Sequence, residues 1–510
     1  MTKTTKKILY LLGSLVILLQ AVVEIAAVYE MIQSNMIPNV ILIVGIAILV
    51  ILQAVTTVLF FVKPKKKNDM KTGEKISQKK RLKKHRKIAM ILAVIMILIC
   101  GLLTYVMAKV NDAFGAITNE DGQYIEIGVY VMKDSPAQSI NDLTDSTFGM
   151  EDSYDTENTQ AALNNINDKL GREVATENYD SVNTMVDALY SGQTDAMILN
   201  EAYASILEDQ EAYQNFSDDT RIVYTYRIKV DEDKKRDVKV TKDPFVVYIS
   251  GSDTRSDKLA TSRSDVNLLA VVNPETKQVL LLNTPRDYYV QTSVSGGAKD
   301  KLTHAGIYGV QCSMDTLSML YDTPVDYYMQ INFTGFETMI DAIDGVDVDV
   351  DVDQAVTTDD GYSFSEGINT MNGKEALSYV RERHHFADGD NARGRHQMAV
   401  ISAIIQKASS GTTILKHYGD IMDSMEGMFV MDLSQDDLGN LVKMQLSDGS
   451  SWNVKSYAVT GENSSNYTYS APGQQLYVME PNQDTVDHAK ELINKVFSGD
   501  TLTDEDVAAQ

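Results

Sequence analysis

The chain has 510 residues, 44% of them hydrophobic and only 9 of them proline, which is too long for one domain and too apolar for an intrinsically disordered chain. Its 2 cysteines, Cys100 and Cys312, exclude a disulfide-rich secreted scaffold. Charge is unevenly distributed: residues 1–108 hold 16 of the 46 Lys and Arg but 4 of the 71 acidic residues, which leaves 30 basic and 67 acidic residues, a net of −37, for residues 109–510. The two parts are therefore expected to meet different surroundings.

Three apolar runs near the N-terminus predict a membrane anchor over residues 1–108. Each run approaches or exceeds the roughly 20 residues that a helix needs to cross a bilayer. The predicted spans are residues 8–28, 37–62 and 88–108.

The basic residues around these spans predict the topology. Residues 63–87 hold 13 Lys and Arg, whereas residues 29–36 hold none. Because basic loops stay in the cytoplasm, the N-terminus and loop 63–87 are expected there, and residues 109–510 outside a multi-pass cell-membrane protein. The run Lys79–Lys87 is also a candidate nucleic-acid site, but topology and anionic lipid headgroups already explain it, so no nucleic-acid partner is expected.

The first part of the outer region predicts a small α/β accessory domain over residues 109–240. A strand over Tyr124–Asp134 and a helix over Thr159–Gly171 are followed by a helix that turns at Gly192 into an apolar strand at Ala196–Leu199. Alternating elements of this kind favour a sheet covered by helices. The charged segment Asp231–Asp243 then predicts a linker.

Residues 241–500 predict an α/β/α domain with a mixed or mainly parallel sheet. Apolar strand patterns alternate with helical ones, and residues 501–510 form a tail that we expect to be frayed. The predicted strands are Pro244–Gly251, Val266–Pro274, Lys277–Pro285, Val325–Asn332 and Trp452–Val459, and the predicted helices are Thr303–Tyr321, Phe336–Ile343, Met398–Ala408, Leu433–Leu446 and Asp484–Val496.

One stretch, Tyr379–Gln397, concentrates arginines in an acidic region and predicts an anion site. Arg381 and Arg383 share a face if the backbone there is extended. Arg393 and Gln397 are four apart on a helix that Asp390 or Asn391 can cap. Guanidinium groups offer the planar, bidentate donors that phosphate recognition favours. The alternative is a solvated charged face.

Two further clusters follow predicted strands. Asp253 and Asp265 stand at facing strand ends, where two carboxylates can hold Mg²⁺ with positions left for phosphate oxygens and water. Alternatively, each is a turn or cap residue. Arg286 and Asp287 come directly after a buried strand, where open α/β sheets place ligands, and Lys301 follows in a Gly-rich loop.

These motifs together resemble the LytR-CpsA-Psr (LCP) family of Gram-positive cell-envelope proteins. The resemblance covers residues 244–410 and is carried by GSD at 251–253, RSD at 263–265, PRD at 285–287, KLTHA at 301–305, and YVRERH with GDNARGRHQ at 379–397. Three spans followed by an accessory domain resemble the capsule-associated branch. The resemblance implies a phosphotransferase that moves a glycopolymer, capsular or teichoic-acid-like, from a polyprenyl-pyrophosphate carrier to peptidoglycan.

The resemblance also implies roles for individual residues. Asp253 and Asp265 would bind Mg²⁺, and Asp390 would orient the arginines. Pyrophosphate would be held by Arg263, Arg286, Arg381, Arg383, Arg393, Gln397 and Lys301. Arg286, Asp253, Asp287 and Arg381 are the catalytic candidates, with Asp253 and Asp287 open as the general base.

Ile401, Ile404 and Ile405 continue an apolar stripe beyond Arg393 and Gln397. From sequence alone this stripe fits an ordinary core helix as well as a lipid tunnel, and the family resemblance favours the tunnel.

Two other functions remain open. The same metal and arginines would serve a polyprenyl-pyrophosphate hydrolase that uses water as the nucleophile. Alternatively, the chain would be a membrane regulator of polysaccharide synthesis.

Overall fold

The computed structural model describes residues 3–63, 78–117, 124–152, 155–229, 236–252, 262–352, 355–382, 390–409 and 429–508. These residues divide into two compact units. Met1–Ala116 and Ser434–Gly449 belong to the first, while Ile117–Ile414, Ser424–Leu433 and Ser450–Gln510 belong to the second.

The first unit contains three helices that are long and apolar enough to cross a membrane: α1 (Lys3–Gln33), α2 (Asn39–Phe61) and α3 (Gln78–Ile117). Their membrane-length stretches run from Lys7 to Gln33, Asn39 to Phe61 and Arg81 to Asp112. Each stretch contains most of one predicted span. The first and third helices extend beyond their apolar runs, because helical backbone continues into the flanking polar residues. Phe60 of α2 packs with Ile17, Ala89 and Ala93.

The remaining elements are numbered in chain order. The helices are α4 (Thr156–Leu170), α5 (Val182–Ser191), α6 (Ala204–Glu208), α7 (Phe216–Asp219), α8 (Leu302–Ala305), α9 (Val310–Tyr321), α10 (Phe333–Ala342), α11 (Gly373–Arg381), α12 (Asp390–Ser409), α13 (Gln435–Asp448), α14 (Gln483–Ser498) and α15 (Asp504–Val507). The strands are β1 (Tyr124–Met132), β2 (Thr147–Glu151), β3 (Ala175–Tyr179), β4 (Ala196–Asn200), β5 (Thr220–Lys229), β6 (Phe245–Ser252), β7 (Val266–Asn273), β8 (Gln278–Asn283), β9 (Tyr289–Gln291), β10 (Lys299–Lys301), β11 (Tyr327–Asn332), β12 (Val346–Val350), β13 (Val356–Thr357), β14 (Ser363–Phe364), β15 (Gly367–Met371), β16 (Phe429–Met431), β17 (Asn453–Ala458), β18 (Gly461–Thr468) and β19 (Ala471–Pro481).

The accessory part of the second unit is built on a mixed sheet of order β3-β2-β4-β1-β5. Ser181 caps the N-terminus of α5, where its hydroxyl accepts a hydrogen bond from the amide of Thr184. Gly192 caps the C-terminus with a φ of 72°, which suits glycine. One face of the sheet buries Ile127, Val129 and Phe148 with α4. The sequence therefore predicts correctly that the accessory part is an α/β structure.

A second mixed sheet, of order β16-β11-β6-β7-β8-β17, forms the centre of the larger part. β6 pairs with β7 antiparallel and with β11 parallel, and β8 pairs with β17 parallel. Because β7 is antiparallel to both β6 and β8, the carboxyl ends of β6 and β8 lie at the same edge. That edge is where the candidate site forms.

Alternation along the strands gives this sheet two different faces. Val246, Tyr248 and Leu269 point into a core that also contains Leu317 of α9 and Leu492 of α14. Val247 and Ile249 point to the other face, which helices α10, α11 and α12 cover. The observed α/β/α architecture with a mixed sheet confirms the predicted fold class.

Three local predictions are wrong. Arg381 is the last residue of helix α11 rather than part of an extended segment, because the capping box of Asn372 and Glu375 starts a helix that runs through Val380. Residues 303–321 are divided between α8 and α9 by a 3₁₀ turn at Gly306–Tyr308 and by Gly309, whose φ is 97°.

The third error concerns the C-terminal residues. Leu502 is buried in the main core, and its amide donates to the side chain of Gln278. Thr503 and Asp506 form a capping box that begins α15. The segment to Ala508 is therefore packed rather than frayed, because tertiary contacts hold what composition alone does not.

Candidate active site

A cavity of about 590 Å³ lies between the central sheet and the three helices that cover it. Its wall is mainly apolar. The apolar lining comprises Val247, Ile249, Val266, Ala270, Met329, Ile331, Phe333, Phe336, Met339, Leu377, Val380, Ile401, Ile404, Ile405 and Phe429. The predicted stripe of Ile401, Ile404 and Ile405 thus borders empty space rather than filling a core, which supports the tunnel interpretation of α12.

The same cavity also has a polar section, formed where strands end. Asp265 precedes β7 and Arg286 follows β8, and both line the cavity. The amide of Asp265 donates to the carbonyl of Gly251 at 2.9 Å, which fixes the start of β7 beside the end of β6. Arg286 Nη1 donates to Asp265 Oδ1 at 2.5 Å. The structure therefore brings Asp265 and Arg286 into direct contact at this edge of the sheet.

The buried carboxylate of Asp287 contacts the side chains of Arg286 and Lys301 at this edge of the sheet. Asp287 is 4% exposed, and its Oδ1 accepts from Lys301 Nζ at 3.0 Å while its Oδ2 lies 3.4 Å from Arg286 Nε. Burial favours the neutral acid, but the charges of Lys301 and Arg286 and their hydrogen bonds outweigh it, so the pKa of Asp287 is lowered. Asp287 is consequently a weak base that positions its two neighbours.

The helical arginines reach the cavity from α11 and α12. Arg381, at the end of α11, lines the cavity with its guanidinium carbon 4.7 Å from the centre of the Phe333 ring. Arg393 and Gln397 are 7% and 9% exposed, and both line the cavity one helical turn apart. Polar and apolar lining residues thus follow one another along the same face of α12.

One glycine permits this position of α12. A Cβ added to Gly394 would lie 2.2 Å from Asn283 Nδ2 and 2.7 Å from Asn283 Cγ. The helix therefore packs so closely on the side chain of Asn283, the last residue of β8, that a Cβ at position 394 would require this side chain to shift. Gly394 follows Arg393 directly, so this contact brings Arg393 to the edge where Arg286 stands.

Some predicted site residues are not part of this arrangement. Arg263 pairs with Asp209 of the accessory part and does not line the cavity. Asp253 and Arg383 lie outside the described residues, as does the side chain of Asp390, although α12 begins at that residue.

Four carboxylates line the cavity in the described part of the chain, those of Asp265, Asp359, Asp360 and Glu382. No group of three or more His, Cys, Asp and Glu side chains converges there. Asp265 nevertheless offers a cavity-lining carboxylate with one oxygen on Arg286. One such carboxylate fits Mg²⁺, since this ion usually keeps several waters and binds through one or two carboxylates together with substrate phosphates.

Sequence reasoning missed most of the apolar wall. Val247, Ile249, Met329 and Ile331 were assigned to strands but not to a cavity. The register pairs Ile249 with Met329, so their side chains share a face, and the period of two along each strand was the available signal. What the period does not reveal is which face is left unfilled.

The fold and this cavity define a class of protein: a membrane-anchored α/β protein whose site combines arginines with an apolar chamber. A family model described as the LytR_cpsA_psr family matches residues 213–487, which is more than half of the chain. The chain therefore belongs to the LCP family, as its motifs indicate. A model of a DNA polymerase processivity factor matches residues 83–199, a minor part that includes much of α3, and shows no membership.

Curated relatives agree with this assignment. The polyisoprenyl-teichoic acid–peptidoglycan teichoic acid transferase TagT of Bacillus subtilis (strain 168) is 37% identical over 258 residues, covering 49% of this chain and 76% of TagT. The corresponding transferase TagU of the same organism is 36% identical over 217 residues, covering 42% of this chain and 68% of TagU.

Two solved structures are also similar. TagT bound to LI-WTA has 31% identity and a TM-score of 0.40, with coverage of 53% of this chain and 95% of that one. B. subtilis TagV has 25% identity and a TM-score of 0.42, with coverage of 51% and 99%. Membership in the family rests on the sequence match rather than on these scores.

Proposed function

We propose that this LCP-family protein is a phosphotransferase that moves a glycopolymer from a polyprenyl-pyrophosphate carrier to a hydroxyl of peptidoglycan. The observation that carries the proposal is that one cavity contains both the apolar wall and the polar section, which Arg286, Arg381 and Arg393 line. Its volume of about 590 Å³ lies within the roughly 300–1,000 Å³ of ordinary ligand sites. A diphosphate attached to a long hydrocarbon requires both surroundings side by side.

In the reaction, the acceptor hydroxyl attacks the phosphorus that bears the glycopolymer. The bridging P–O bond to the lipid phosphate breaks, polyprenyl monophosphate leaves, and the hydroxyl proton passes to a base or to water. Negative charge gathers on the transferring group and on the leaving oxygen. Arg286, Arg381 and Arg393 supply the positive charge that stabilises it.

Magnesium belongs to the same proposal. Asp265, together with Asp253, would hold the ion, which when bound would neutralise phosphate charge. Asp287 is an unsuitable general base because its neighbours lower its pKa. Its proposed role is to hold Lys301 and Arg286 against the bound phosphates.

A membrane anchor suits a donor that is carried on a polyprenyl lipid. We propose that the N-terminus and the basic loop are cytoplasmic and that residues 109–510 lie outside. The relatives TagT and TagU are teichoic acid transferases by name. For this chain the proposed polymer is teichoic-acid-like or capsular.

The test uses the full-length protein in lipid nanodiscs with a lipid-linked polymer donor and peptidoglycan glycan strands. Covalent transfer that requires both the acceptor and Mg²⁺ supports the proposal. Arg381→Ala should abolish transfer, whereas Lys374→Ala, an exposed cation on the same helix, should retain it. Release of polymer phosphate without any acceptor would instead show a hydrolase, and no reaction of the donor would refute both.

A further inference from the structure

A hairpin of β18 and β19 carries a surface that the proposed donor chemistry does not use. Its sequence, GENSSNYTYSAPGQQLYVMEP, has only two charged residues, Glu462 and Glu480, within a strongly acidic region. Tyr467 is 57% exposed and Tyr477 is 43% exposed. Large rings that stay exposed among neutral side chains mark this hairpin as a candidate binding surface.

The strand register places the polar and aromatic groups on one side of the hairpin. Tyr477 pairs with Ser465, and Tyr467 pairs with Gln475 two positions further along. Directly paired residues share a face, so the two rings are diagonal neighbours. The hydroxyl of Tyr477 donates to Asn463 Oδ1 at 2.7 Å on this side. We call the side formed by these five residues the tyrosine face.

The tyrosine face is connected to Arg286, which lines the polar section of the cavity. Lys301 Nζ lies 5.9 Å from the centre of the Tyr477 ring, and the same nitrogen donates to Asp287. The amide of Met479 donates to the carbonyl of Asp287 at 2.7 Å, which anchors β19 beside the residue that follows Arg286. A chain of direct contacts therefore leads from the exposed ring to Arg286.

A third tyrosine, Tyr289, extends the surface along the neighbouring β9–β10 hairpin. The hydroxyl of Tyr289 donates to the carbonyl of Tyr467 at 2.8 Å, and Lys299 Nζ lies 5.0 Å from the centre of the Tyr289 ring. Lys299 also approaches Glu480 at 3.5 Å. Lys299 and Glu480 thus pair with each other, and Glu462 adds an exposed negative charge, which leaves little attraction for a polyanion.

The chemistry of the face selects a class of ligand. Pyranose rings present a C–H face that packs on an aromatic ring, and hydroxyl and acetamido groups that bond to amides and hydroxyls at their edges. The tyrosine face supplies both kinds of group within one patch. A lipid surface would favour aliphatic side chains and free cations, and a nucleic acid would favour cations.

We infer that the tyrosine face is the subsite for the acceptor, where a glycan strand of amide-bearing sugars lies with one hydroxyl directed at the phosphates held by Arg286. This assignment rests on the proposed transferase function. It gives the acceptor a place outside the cavity. The cavity itself has an apolar wall, which suits the lipid of the carrier.

The test compares full-length Tyr477→Ala, Tyr467→Ala and the double variant with wild type in nanodiscs. The apparent KM for glycan strands should rise roughly tenfold, while donor binding and copurified polyprenyl lipid stay unchanged. Tyr477→Phe keeps the ring and should retain most of the acceptor affinity. Tyr124→Ala, a tyrosine 40% exposed on β1, is the matched control and should behave as wild type.

Direct titration with short N-acetylglucosamine-containing glycan strands separates this inference from the proposed function. Wild-type binding that the double variant loses would support the subsite even if no transfer were found. Transfer with an unchanged acceptor KM in the double variant would refute the subsite and leave the transferase function intact. Binding of vesicles rather than glycans by the tyrosine face would also refute it.

Discussion

The hydroxyl groups of Tyr203 and Tyr308 lie 2.6 Å apart, and this buried hydrogen bond joins the accessory part to the larger part of the second unit. The hydroxyl of Tyr308 is also hydrogen-bonded to the hydroxyl of Ser470. The backbone amide of Ser470 donates to Asp300 Oδ2. Asp300 in turn accepts the backbone amide of Lys301 at 2.7 Å through its Oδ1. A series of hydrogen bonds therefore connects the accessory part to the backbone of Lys301.

We expect Tyr308→Phe to lower the free energy of unfolding by about 1–3 kcal/mol, because it leaves the buried hydroxyl of Tyr203 without this partner. Tyr203→Phe should cost less, since the Tyr308 hydroxyl keeps its hydrogen bond to Ser470. The double variant should cost less than the sum of the two single changes. Denaturant unfolding of the purified protein measures this cycle. Strict additivity would show that the bond contributes nothing of its own.

Arg286→Lys should reduce transfer by roughly 10²–10³-fold while the protein stays folded, because lysine keeps the charge but loses the fork that contacts Asp265 and Asp287 together. The measurement is single-turnover transfer with saturating donor. Arg172→Lys changes an exposed pair with Asp145 and serves as the control, with no expected effect. Equal rates for Arg286→Lys and wild type would contradict the assigned role.

Gly394→Ala should destabilise the protein by about 1–3 kcal/mol and weaken donor binding, since the new methyl group would overlap Asn283 and push Arg393 away from the site. Thermal unfolding and donor titration test both effects. Adding Asn283→Ala should restore part of the loss if overlap is the cause. A double variant no better than Gly394→Ala would point to another origin.

Ile404→Gln should reduce the amount of copurified polyprenyl lipid several-fold, because it places an amide in the apolar wall without a partner for its hydrogen bonds. Mass spectrometry of lipid extracts from the full-length protein gives the measurement. Ile368→Gln makes the same change at a side chain that is 68% exposed and does not line the cavity, and should retain the lipid. Equal lipid content in both would argue against a lipid chamber.

Asp287 should contribute to stability in a pH-dependent manner. Its pKa is lowered in the folded protein, so its contribution is complete above the unfolded value of about 3.9 and is lost as pH falls through the folded value. Wild type should lose stability below about pH 4, and Asp287→Asn should lack that component. Melting curves between pH 3 and 7 test this, with Asp145→Asn, a side chain 90% exposed, as the control.

Much of this protein could be predicted from local sequence. Hydropathy alone indicated the three membrane-length helices, and the alternation of strand and helix patterns indicated the α/β/α domain. The motifs around Asp265, Arg286 and Arg393 identified the family and three residues that line the cavity. Such features depend on composition and on periods of two or 3.6 residues, which a linear sequence displays directly.

Tertiary structure decided the rest. The shared edge of β6 and β8, the approach of Gly394 to Asn283, and the empty space between sheet and helices all depend on pairing between distant segments. The tyrosine face likewise exists only because β18 and β19 pair in one register beside Asp287. Register and packing join residues far apart in the chain, so no local pattern could specify which side chains meet around the cavity.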